Sequence, residues 1–103
     1  MSNPPASATD LLVAASDSID QRAQSRDLPA GERSMARAVA AFNAITGRQL
    51  TEHDGWLFMT QLKAARATAG RHNADDYVDG AAYFALAGEC AGRTATPPGA
   101  PDA

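Results

Sequence analysis

The two ends of the chain carry no large apolar side chain, and this limits what the chain can fold into. Ser2 to Thr9 (SNPPASAT) and Arg93 to Ala103 (RTATPPGAPDA) are dominated by Pro, Ala, Ser, Thr and Gly. Such segments bury too little surface to offset the entropy lost on ordering, so residues 1–9 and 93–103 are expected to be disordered tails. Residues 10–92 remain as one domain. A core of that size supplies only a few kcal/mol. The chain also holds 24 alanines, which bury little surface each but let helices approach closely. A homo-oligomer is therefore the expected way to complete the fold.

Charge excludes some partners. The formal net charge is −3, and Lys63 is the single lysine. A protein that neutralises many phosphates needs clustered Lys and Arg, so duplex nucleic acid is not an expected partner. The one cysteine, Cys90, has no intramolecular disulfide partner, which fits a reducing compartment. Met1 to Asp10 lacks a basic region followed by an apolar run. No apolar stretch approaches the roughly 20 residues of a bilayer span. The expected setting is the cytoplasm, away from any membrane.

The spacing predicts an all-α fold of three or four short helices. The first runs from Asp10, as its cap, to Arg26, with Leu11, Leu12, Ala15, Ile19 and Ala23 at helical spacing. Its polar second half marks it as short or peripheral. Leu28-Pro29-Ala30-Gly31 breaks it. The second runs from Glu32 to Thr46 with Met35, Val39, Phe42 and Ile45 on one face, and Gly47 sits where a left-handed cap belongs. The third opens on a capping box, Thr51-Glu52-His53-Asp54, and reaches about Ala69 before Gly70. Its run Trp56-Leu57-Phe58-Met59 points around the whole cylinder, which places the helix at the centre or at a subunit interface. The fourth starts at Asn73 and ends near Cys90, with Val78, Ala81, Phe84 and Leu86 as its apolar surface. Gly80 and Gly88 inside it each cost about 1 kcal/mol against Ala, the mark of close approach by another helix or a ligand.

Chemistry concentrates where the last two helices meet. Asp75, Asp79 and Tyr83 recur at i, i+4, i+8, and Asp76 lies three residues before Asp79. Carboxylates a turn apart can share a Mg²⁺. Lys63 and Arg66, one turn apart, suit phosphate oxygens. An antiparallel pairing across the Gly70-to-Asn73 turn sets that basic pair against the acids. The bland reading stands beside it: Asp75 and Asp76 only favour the helix dipole, and Lys63 and Arg66 only form salt bridges to Asp79. Elsewhere the pattern is sparse. His53 and His72 lack a second ligand at zinc spacing, and Cys90, with no neighbouring base in the sequence, reads as a buried inert thiol.

The series Lys63-x-x-Arg66, a short Gly turn, Asp75-x-x-x-Asp79-x-x-x-Tyr83 and Phe84-Ala85-Leu86 resembles a family of small phage and prophage proteins of unknown function. That family is similar to nucleotide-modification-associated domains and to the MazG-like all-α nucleoside triphosphate pyrophosphohydrolases. The resemblance spans about Glu32 to Ala91. It implies a Mg²⁺ held by Asp76 and Asp79, because Asp75, Asp76 and Asp79 fall where those enzymes carry a Glu-Glu-x-x-Asp run. It also departs from the pattern: those enzymes have a second acidic pair on the preceding helix, whereas Trp56 to Lys63 contains no acid.

Three expectations follow. The first is a phage-type helical protein that binds a nucleotide or other phosphorylated ligand through Lys63, Arg66, Asp75, Asp79 and Tyr83 without turnover. The second is a small interaction protein that blocks a host or defence protein. The third is an active Mg²⁺-dependent pyrophosphohydrolase.

Overall fold

The computed structural model describes residues 5–26 and 34–95, and among these four helices follow in order: α1 (Ala8–Arg26), α2 (Ser34–Thr46), α3 (Glu52–Ala67) and α4 (Ala74–Thr94). Among the described residues there is no strand, and the protein is all-α. No described helix is long and apolar enough to cross a membrane. The predicted break at Leu28–Gly31 and the predicted start at Glu32 lie outside the described residues.

Local chemistry sets most helix ends. The Thr51 side chain accepts from the Asp54 backbone N–H at 3.1 Å, while the Thr51 N–H donates to the Asp54 carboxylate at 2.8 Å. Donation to its carboxylate by the Thr51 backbone N–H, and then by the Thr51 side chain, holds the Asp54 carboxyl below its ordinary range. Asn73 caps α4 by accepting from the Asp75 N–H. Gly47 and Gly70 take positive φ, 74° and 71°, at two chain reversals, where a Cβ would be strained.

Both outer ends correct the expectation. The cap of α1 is Ser7, not Asp10. Ser7 and Asp10 exchange a second capping box, in which Ser7 Oγ accepts from the Asp10 N–H and the Asp10 carboxylate accepts from the Ser7 N–H. At the other end α4 runs past Gly92 to Thr94 and engages Arg93, so the predicted tail boundary falls inside a helix.

The centre is an antiparallel α3–α4 pair. Glu52 meets Cys90 and Arg93, Trp56 meets Tyr83, and Lys63 meets Asp79. Buried Trp56, Leu86, Ala87 and Cys90 form the core, with Ile19, Met35, Leu57 and Tyr83 packed against it. Buried Ala82 leaves no side-chain bulk beyond a methyl. The run from Trp56 to Met59 divides around α3: Trp56 is buried, Leu57 and Met59 are half-buried, and Phe58 stands 70% exposed. Phe84, part of the predicted apolar surface of α4, is likewise exposed.

The other two helices attach to this pair. α1 packs on α4 through Ala15 and Ile19. α2 docks on α3 at Gly55. A Cβ there would collide with Met35 Sδ and sit 2.9 Å from Val39 Cγ2. α2 has no buried residue, and it leaves Phe42 and Ile45 exposed. Asn43 fixes its connection to α3, donating to the Leu50 carbonyl at 2.9 Å and accepting from the Leu50 N–H at 3.0 Å.

Candidate functional site

The α3–α4 seam brings most of the predicted residues together. Lys63, Arg66, Arg71, Asp75, Asp76 and Asp79 line an open groove of about 500 Å³ that also takes in Ala69 and Asn73. Helical periodicity alone places Lys63 and Arg66 on one side of α3, and antiparallel pairing turns them to the amino-terminal half of α4. Gly80 helps: the Lys63 Cβ lies 3.5 Å from where a Cβ on Gly80 would stand. Arg71, in the turn between the helices, belongs to the groove and carries no signal in helical spacing.

Asp79 is the organising charge. Its carboxylate lies 3.0 Å from Lys63 Nζ and 4.0 Å from Arg22 Nη2, and all three side chains are less than one-third exposed. Arg22 is the residue that spacing did not single out. It comes from the polar second half of α1, donates to the Tyr83 hydroxyl at 3.3 Å and lies 5.0 Å from the centre of that ring. The Tyr83 ring also stacks on Trp56, with ring centres 5.8 Å apart. Tyr83 thus lines a neighbouring, mostly apolar groove of about 340 Å³ with Arg22, Met35, Ala38, Trp56 and Met59. Asp79 and Arg22 stand where the two grooves meet.

The donor set does not make a resident Mg²⁺ site. Among the described residues no group of three His, Cys, Asp or Glu side chains is placed to hold a metal ion. Asp79 is engaged by Lys63, which leaves Asp76 without a second free carboxylate of the expected pair.

A second polar cluster ties the far ends of α3 and α4. Glu52 Oε2 accepts from Cys90 Sγ at 2.8 Å, from Arg93 Nη2 at 3.0 Å and from Trp56 Nε1 at 3.3 Å. Burial opposes the charge on Glu52, yet these donors and the Arg93 charge outweigh it and hold the carboxyl below its ordinary value. Burial, then the Glu52 hydrogen bond, pushes the Cys90 thiol up. The acid beside Cys90 comes from 38 residues away, which no local reading could find. The thiol stays protonated as a donor, so the expectation of an unreactive cysteine acquires a physical cause. His53 is half-buried and His72 is exposed, its ring 5.8 Å from that of Tyr77.

No curated protein and no solved structure matches the chain. Residues 10–91, which contain both grooves and the Glu52–Cys90 contact, match the model of DUF6378, a domain of unknown function, and the chain belongs to that family.

Proposed function

We propose that the chain binds a phosphorylated ligand, a nucleotide in the first instance, along the α3–α4 seam, and does not turn it over. One observation carries this reading. Arg66 and Arg71 line the polar groove, and neither forms an ion pair with any described acid. Guanidinium forks match phosphate oxygens in pairs. The amino-terminal end of α4 adds partial positive charge at the same place. Lys63 contributes a third cation, shared with Asp79.

The two grooves extend the reading to a nucleotide. Trp56, Met59, Lys63 and Arg66 recur at i, i+3, i+7, i+10 along α3, opposite Tyr83, Asp79 and Asp76 of α4. The apolar and polar grooves therefore follow one line. From Met59 to Arg66 the helix rises about 10 Å, the scale of a nucleoside with its phosphates. The base would lie toward Met35, Met59 and Tyr83, and the phosphates toward Arg66 and Arg71. Any Mg²⁺ would arrive with those phosphates. The absence of acids from Trp56 to Lys63, where MazG-like enzymes place their second pair, supports binding on a MazG-like, phage-type scaffold without hydrolysis.

A titration followed by thermal shift tests this, using nucleoside mono- and triphosphates and pyrophosphate, each with and without Mg²⁺. A ligand at 100 times its Kd adds about 2.7 kcal/mol. The expected result is stabilisation by a nucleotide that the double variant Arg66→Ala, Arg71→Ala loses, with no pyrophosphate released. No stabilisation by any of these at millimolar concentration would reject the reading. A second reading, a protein that occupies a host or defence protein, is supported by α2, whose Phe42 and Ile45 are exposed on a helix with no buried residue.

A further inference from the structure

The apolar groove is a gap between α2 and the core. Its walls come from all four helices: Arg22 of α1, Met35 and Ala38 of α2, Trp56 and Met59 of α3, and Tyr83 of α4. Trp56 belongs to the buried core, and Met35 and Tyr83 pack against it. At about 340 Å³ the groove has room for a planar ring, and walls of aromatic rings and thioethers favour one. A ring placed there touches α2 on one side and the core on the other, as a core side chain would.

The helix that such a ring stabilises most is α2. Ala15 of α1, Trp56 of α3 and Ala82, Leu86, Ala87 and Cys90 of α4 are buried, whereas α2 has no buried residue. Met35 and Val39 meet α3 at the Gly55 gap, and Asn43 clips the far end of α2 to the Leu50 backbone. A segment with so little buried apolar surface opens at low free energy. Met35 is shared between the two places, since it fills the gap beside Gly55 and lines the groove.

We infer that the ring of the ligand and α2 dock together, so that occupancy of the apolar groove fixes α2 on the core; this rests on the nucleotide reading above. Linkage makes the effect reciprocal: the factor by which the ring favours docked α2 is the factor by which docked α2 favours the ring. The two grooves then have separate parts. Arg66 stands on α3 and Arg71 in the turn that follows, so phosphate binding does not depend on α2. Ring binding does.

Amide hydrogen exchange on the full chain tests the coupling. The ligands are pyrophosphate and the tightest-binding of the adenosine, guanosine, cytidine and uridine triphosphates, each at 100 times its Kd. Where local opening of α2 releases the ligand, exchange slows by about a hundredfold. That slowing is expected at amides 34–46 with the nucleotide, and none is expected there with pyrophosphate. Gly55→Val, or Val39→Ala should the first variant fail to fold, loosens α2 from outside the groove, because neither residue lines it. Nucleotide affinity is expected to fall by roughly threefold or more as the docked fraction falls, with pyrophosphate affinity unaltered. Nucleotide binding without slower exchange at 34–46 overturns the coupling and leaves the phosphate reading standing. So does equal slowing by pyrophosphate, or undiminished nucleotide affinity in a variant whose α2 amides exchange freely. Failure of both ligands to bind rejects the phosphate reading and the coupling with it.

Discussion

Asp79 illustrates how far one side chain can be read in two ways. Its carboxylate faces Lys63 and Arg22 together, in a setting neither fully buried nor open. Exposed pairs contribute about 0–1 kcal/mol and the loss of one partner from a buried pair costs about 3–5. Asp79→Asn is accordingly expected to cost about 1–2 kcal/mol in urea unfolding. The same substitution releases Lys63 beside the proposed phosphate groove, so nucleotide affinity should rise. The two measurements belong on one variant. Lost stability with unaltered nucleotide affinity would leave Asp79 a structural counter-ion and favour the interaction-protein reading.

At the scale of elements, the weak member is α2. Its apolar stripe is legible in the sequence; Met35 and Val39 of that stripe reach the Gly55 gap in α3, whereas Phe42 and Ile45 are exposed. Met35 is flexible and can move aside; Val39 is branched at Cβ and cannot readily do so. A bulky residue at position 55 therefore has to displace the helix. Gly55→Val is expected to destabilise by about 1–3 kcal/mol, the usual cost of overpacking. Hydrogen exchange should locate the effect: amides of 34–46 lose protection while those of α3 and α4 keep theirs. Uniform loss across all helices would mean that α2 is integral to the core.

For the molecule as a whole, the Glu52 cluster contributes to the response to acid, beside the lowered Asp54 carboxyl of the α3 cap. The folded carboxyl lies below its ordinary value, so its contribution is complete at neutral pH and is lost as pH falls through the folded value. The melting temperature is therefore expected to be level near neutrality and to fall below about pH 4, where carboxylates ordinarily protonate. Glu52→Gln should lower the neutral plateau and flatten the acid limb. An acid limb identical to that of the parent protein would show that other carboxylates govern it. With few large side chains in the core, small terms of this kind weigh heavily in total stability.

Helix type, the capping box at Thr51, the cap at Asn73 and the glycine stops at 47 and 70 were all legible in the sequence, because each rests on contacts within a few residues. So was the grouping of Lys63, Arg66, Asp75 and Asp79, which needs only helical periodicity and one short turn. The α1 cap was misplaced by three residues because Ser7 and Asp10 are both good caps and only the bonded geometry separates them. Arg22, Arg93 and the acid beside Cys90 were not legible. Each acts on a residue 38 or more positions away, and no local spacing encodes such a distance. Apolar spacing likewise put Phe42 and Ile45 on one face of α2 and Phe84 on the apolar surface of α4, and it placed Phe58 at the centre or at a subunit interface; within the chain all four are exposed. Sequence by itself determined which segments are helical and which charges share a helix face, since those follow from backbone geometry and side chains a turn apart. Tertiary structure alone decided which apolar faces are covered and which distant groups meet, since that depends on where each helix lies against the others.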